Sequence, residues 1–200
     1  MECLGLLFSR TDGGNLVSLD NADVKDYVNE MPDTANYALR DLADVARPII
    51  KSVEITQDGT APGWVRYHLR ELAPDFMRMV HDRIVWEHDG AYGRFVDYQQ
   101  EGGGVLVFPG RVAGTFRVFY KAYPEEITEA TPDEQTFELA PEALDLVPIY
   151  MASRLYKDDD IAIATDYLNE YQARREELMQ TADDSVDGTY GDFVSVTGWV

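Results

Sequence analysis

The spacing of apolar residues switches twice along this chain. From about residue 49 to residue 123 they recur at every second position; on either side they recur three and four apart. A period of two belongs to strands and a period near 3.6 to helices, so the strands must form a block set between two helical segments. Within the block, KSVEI places Val53 and Ile55 on one face, and WVRYHL places Val65, Tyr67 and Leu69 on one face. RMVHDRIVWEHD, RFVDYQ, VLVFP and TFRVFYKAYP follow, each rich in β-branched or aromatic residues and bounded by Gly, Pro or Asp. QQEGGG and FPGRVAG read as hairpin turns, and RELAPDF reads as one helical turn. Antiparallel strands in a sandwich or open barrel follow.

The flanks are helical. Residues 1–19 carry TDGGN between two short apolar runs, a hairpin or an arm. Asp20 or Asn21 is placed to cap a helix bearing Val24, Tyr27, Val28 and Met31. Pro32 should interrupt it and start a second helix, with Ala35, Ala38, Leu39, Leu42 and Ala46 on one face and Pro48 at its end. After an acidic connector at 124–137, Pro141 starts a helix with Leu144, Val147, Met151 and Leu155 on its apolar face. Pro148 lies inside that pattern and predicts a kink, because it has no N–H for the Leu144 carbonyl. A last helix begins near Asp160 and carries Ile161, Ala164, Leu168, Tyr171 and Leu178 on one face. After residue 181, Gly, Asp and Ser argue against helix, and FVSVTGW reads as a strand or an extended arm.

The predicted fold is therefore α+β: a small helical core interrupted by an antiparallel β-rich insertion, with an extended C-terminal arm. Its expected parts are 1–48 (arm and helices), 49–123 (β-rich), 124–180 (helical, packing with 20–48) and 181–200 (tail).

Charge excludes more than any motif does. The 200 residues hold 37 acidic and 17 basic side chains, a formal net charge of −20. Nucleic-acid binders need clustered Lys and Arg, so tight wrapping of DNA or RNA is not expected. The bias is uneven, with 19 acidic and 4 basic residues from residue 124 onward. Such a surface repels nucleic acid, which is useful if DNA must slide past without sticking. No apolar run approaches the roughly 20 residues that span a bilayer, and the start of the chain does not read as a signal peptide. Neither membrane nor secretion is expected. The lone Cys3 reads as a small hydrophobe made in a reducing cytoplasm.

Residue patterns for chemistry are sparse. His68, His81 and His88 have no metal-ligand spacing and read as polar positions on strands. Asp158, Asp159 and Asp160 lack the alternation, the glycine and the bidentate Glu of a calcium loop; they read as capping residues at a helix N-terminus. No Gly-x-Ser-x-Gly and no phosphate-binding loop is present. Trp64, Trp86, Tyr92, Tyr98 and Tyr120 fit a sugar site or, more simply, a β core. No cofactor, no metal and no enzymatic activity are expected.

The run PEALDLVPIYMASRLYKDDDIAIATDYLNEYQARREEL resembles the C-terminal helical segment of the head–tail connector (adaptor) proteins of tailed bacteriophages. The residues that carry the likeness are Pro148, Tyr150, Leu155, Tyr156, Lys157, Asp158, Asp159, Asp160, Ala164, Thr165, Tyr167, Asn169 and Glu170. FYKAYPEEITEATPDE, the ending VSVTGW and NYALRDLADVARPIIKSVEI are similar too, in matching order. The resemblance implies a structural protein at the head–tail junction of the virion. Helical cores would pack side by side in a homo-oligomeric ring, commonly of twelve, beneath the portal protein. A tail or stopper protein would follow, and DNA would pass through without specific binding. It also implies a docking C-terminal arm. The expected contact residues are Pro148, Tyr150, Tyr156 and Tyr167, with Phe193, Val194, Val196 and Trp199 in the arm and Trp199 as its anchor. The alternatives are another ring component of the neck or tail, and a β-sandwich module that binds carbohydrate or a receptor.

Overall fold

The computed structural model describes residues 22–128, 130–132 and 134–189. The expected N-terminal arm, the caps at Asp20 or Asn21, Cys3 and the arm residues Phe193, Val194, Val196 and Trp199 lie outside the described residues. The fold is α+β, and it divides into two compact units. One contains the described residues of 1–48 and 124–188; the other contains 49–123.

The first unit is helical. Helix α1 spans Ala22–Asp41 and passes into a π-helical turn, Leu42–Ala46. Pro32 lies inside α1, so the expected break into two helices does not occur. A proline removes one hydrogen bond, and burial of Ala35, Ala38, Leu39 and Leu42 on one side of the helix outweighs that loss. The chain re-enters the unit through the acidic connector. Asn36 holds the connector on α1 by a reciprocal pair, donating to the Ile127 carbonyl at 2.8 Å and accepting from its N–H at 2.7 Å. Helix α3 (Pro141–Leu144) and helix α4 (Val147–Leu155) follow as separate helices; α2 (Leu69–Leu72) is a single turn in the other unit. Pro148 stands in the first turn of α4, where no intrahelical donor is lost, so it starts a helix and does not kink one. A 3₁₀ turn, Tyr156–Asp158, leads to helix α5, Ile161–Thr189. This helix continues through the Asp- and Gly-containing stretch that the sequence reading ends near residue 181.

The second unit holds two antiparallel sheets and no closed barrel. Its elements are β1 (Ile49–Asp58), β2 (Trp64–His68), α2 (Leu69–Leu72), β3 (Phe76–His88), β4 (Ala91–Arg94), β5 (Gln99–Glu101), β6 (Val105–Pro109) and β7 (Ala113–Ala122). The strand orders are β1-β7-β3-β4 and β2-β6-β5. RFVDYQ does not form one strand: its ends belong to β4 and β5, and buried Phe95 lies between them. QQEGGG does turn β5 into β6, but FPGRVAG is not a hairpin. β6 pairs with β2 and β5, and β7 pairs with β1 and β3, so the chain crosses there from one sheet to the other. The reason is burial. Leu106, Val107 and Phe108 are all buried, so β6 must be covered on both faces, and it takes the central place in its sheet.

Phe95, Phe108 and Phe116 join the two sheets, with ring centroids 4.6–5.7 Å apart in their cluster with Tyr67. Each fully buried ring of this kind contributes about 1.5–3 kcal/mol. Buried Gln57 is satisfied: it donates to the Val112 carbonyl at 3.2 Å and accepts from the Tyr67 hydroxyl at 3.1 Å. β3 carries extra residues between Met79 and Ile84 against Tyr120 and Val118 of β7, a bulge that holds His81 and Arg83.

Candidate assembly surface

The helical unit places three of the expected contact residues, Tyr150, Tyr156 and Tyr167, in two aromatic clusters. Tyr150 of α4 stacks on Tyr37 of α1, centroids 5.6 Å apart and planes 6° apart. On another side it meets Tyr171 of α5 at 5.0 Å. Tyr156 stacks on Tyr167 of α5 at 6.2 Å. Burial pushes the Tyr150 and Tyr156 hydroxyls up, so both stay neutral donors over the physiological range. Pro148 shares the start of α4 and belongs to neither ring cluster.

An ionic pin fixes α5 on α1. Asp41 accepts from Arg175 twice, Nε to Oδ2 at 2.7 Å and Nη2 to Oδ1 at 2.9 Å, and from the Tyr171 hydroxyl at 2.7 Å. Burial first, then the Asp41 carboxylate, drives the Tyr171 hydroxyl far above the usual tyrosine range. Arg47 adds a second clamp: it donates to Glu142 at 2.9 Å and to the Leu178 carbonyl at 2.6 Å. That bond holds the Glu142 carboxyl below the usual glutamate range. Sequence spacing did not point to Asp41, Arg175, Arg47 or Tyr37. Asp41 and Arg175 are 134 residues apart, Arg47 and Glu142 are 95 apart, and Tyr37 meets Tyr150 across helices at a similar distance along the chain, and no local pattern encodes such pairs.

The three aspartates separate in function. Asp160 Oδ1 accepts from the N–H groups of Ala162 and Ile163, at 3.0 and 3.2 Å, at the start of α5. Asp158 and Asp159 instead line a hollow of about 420 Å³ with Asp26, Tyr27, Glu30 and Leu155. A neighbouring hollow of about 290 Å³ is bounded by Asp33, Thr34, Tyr37, Tyr150 and Arg154. Among the described residues, no three His, Cys, Asp or Glu converge as metal ligands.

Helix α5 has two opposed stripes. Ala164, Leu168, Tyr171, Arg175 and Leu178 recur four and three apart and are buried or half-buried. Asp166, Glu170, Ala173 and Glu177 recur in the same way about half a turn round, and all four are exposed. Ile161, expected on the packed face, is 66% exposed in the first turn of the helix. In the β unit, Tyr120 is in the core and Trp86 donates to the Ala113 carbonyl at 3.0 Å. Trp64 and Tyr92 are exposed, but they belong to different sheets.

The units also differ in charge. Residues 49–123 contain nine acidic and nine basic side chains, so the whole net charge of −20 belongs to the remainder of the chain.

A two-sheet insertion between the halves of a helical unit, with charged helix faces left to solvent, has the make-up of an α+β scaffold. The family model of the SU10 adaptor protein matches residues 16–191, and the chain belongs to that family. It is a phage adaptor, a structural protein of the virion. No curated protein matches it. No helix among the described residues is long and apolar enough to cross a membrane.

Proposed function

We propose that copies of this chain close into a ring, of about twelve by the resemblance, at the head–tail junction. The ring sits below the portal, joins it to a tail or stopper protein, and leaves DNA a passage that it does not bind. It performs no catalysis and uses no cofactor. The observation that carries this reading is the partition of charge: the helical unit and the chain ends hold all of the −20, and the β unit is neutral. A helical unit bordering the channel would present the phosphates with like charge, so DNA would move without adhering. The tyrosine clusters around Tyr150 and Tyr156, with Pro148, and the arm residues Phe193, Val194, Val196 and Trp199 are the proposed contacts to neighbours and portal.

Light scattering on the purified chain, alone and mixed with its portal, tests the reading. A particle of roughly twelve subunits, or a complex that forms on the portal, is expected. A chain that stays monomeric and ignores the portal at every salt concentration refutes it. An image of the virion neck with this chain located in it decides the junction.

A further inference from the structure

Strand β1, Ile49–Asp58, forms one edge of the four-stranded sheet. Its pairing with β7 runs in one unbroken register from Ile49↔Ala122 to Asp58↔Ala113, and among the described residues no strand pairs with its other side. Successive residues of an antiparallel strand aim their N–H and C=O groups to opposite sides, so alternate residues of β1 point theirs away from β7. Natural sheets blunt such edges by keeping them short, bulged or proline-bearing. The other edges follow that rule. β4 has 4 residues, β2 has 5 and β5 has 3, and the stretch of β3 that runs past β4 is bulged between Met79 and Ile84. β1 has 10 residues, no bulge and no proline. An edge of that kind is a template for one more strand. The faces of β1 define that strand. Ile55 and Gln57 are buried and Val53 is half-buried on one face; Ser52, Glu54, Thr56 and Asp58 are exposed on the other. An added strand continues both faces, so it needs apolar residues at every second position and polar ones among the rest. FVSVTGWV, residues 193–200, has that pattern: Val194, Val196 and Val200 fall in one set, and Ser195 and Thr197 fall in the other between Phe193 and Trp199.

We propose that residues 193–200 of one copy add as a strand to the free edge of β1 in the next copy, and that this addition ties the ring together. The inference rests on the ring reading above and names the place where the arm docks. A head-to-tail ring needs two different, complementary surfaces on each protomer, and an arm with a strand edge supplies them. β1 against β1 of a second copy would be a two-fold contact, which closes at two copies and builds no ring. CLGLLF, residues 3–8, is the poorer occupant, because it would lay apolar residues on the exposed face of the sheet as well as on the covered one.

Hydrogen exchange read amide by amide along β1 tests the pairing. In the assembled full-length chain every amide of β1 should be protected. In a chain lacking residues 190–200, checked for native circular dichroism and an unchanged thermal transition, the amides that face β7 should stay slow. The alternate ones should exchange at least about tenfold faster, and assembly should need a higher concentration by light scattering. Val196→Pro with Thr197→Pro in the full chain should act in the same way without shortening the arm. Adjacent N–H groups point to opposite sides, so one of these two must face β1. Equal exchange along β1 with and without the arm, in a ring that still forms, overturns the inference and leaves the ring reading standing. Full protection of β1 in dilute wild-type monomers also overturns it, since the arm then folds back on its own copy. Protection that the portal confers on the chain lacking 190–200 gives the edge to a portal strand and overturns it too. A wild-type chain that never assembles, even on the portal, removes both readings.

Discussion

Asp41 receives three hydrogen bonds, and two of them come from one guanidinium. Its side chain and that of Arg175 are 31% and 25% exposed, so the pair is only partly screened. Charge-assisted bonds of this kind contribute about 1.5–3 kcal/mol. Asp41→Ala should lower stability by about 2–3 kcal/mol in urea unfolding, and Asp41→Asn by less, because the amide oxygen still accepts. Pro32 offers the opposite case. Inside α1 it denies the Val28 carbonyl its usual donor. Pro32→Ala should restore that bond and stabilise the protein by roughly 1–3 kcal/mol, read as a higher urea midpoint at constant slope.

At the scale of elements, the crossing from β6 to β7 depends on Gly114. Its φ of +133° is strained for any side chain, and a Cβ there would stand 2.5 Å from the Glu87 carbonyl oxygen. Gly114→Ala should cost about 1–3 kcal/mol and weaken the pairing of β7 with β3. Hydrogen exchange at Thr115 and Glu87 would show it as faster exchange, and unchanged protection there would contradict it. The clamp between Arg47 and Glu142 joins α3 to the end of the π turn. The folded Glu142 carboxyl lies below its unfolded value, so its contribution is present above the ordinary glutamate range. That contribution fades as pH falls through the folded value. The Arg47→Ala variant should therefore show a shallower loss of stability on acidification.

At the scale of the molecule, the helical α5 moves the boundary of the tail. A cut at residue 187 would remove the last helical residues, whereas removal of 190–200 leaves α5 whole. That truncation should keep the wild-type circular dichroism and thermal transition, and it should abolish binding to the portal. Full portal binding by the truncated chain would refute the role given to Phe193, Val194, Val196 and Trp199.

The amino-acid sequence by itself determined the α+β class, the central block of short strands, the start of α5 near Asp160 and the adaptor family. All of these rest on local signals: period, turn residues, caps and residue order. It misjudged Pro32, Pro148 and FPGRVAG, because a proline or a glycine turn states what the backbone avoids and not what its neighbours require. Only the tertiary structure decided that α1 runs through its proline, that β6 and β7 part into two sheets, and that Asp41 meets Arg175 across 134 residues. These outcomes depend on burial and register between segments far apart in the chain, where no short stretch of sequence carries the information.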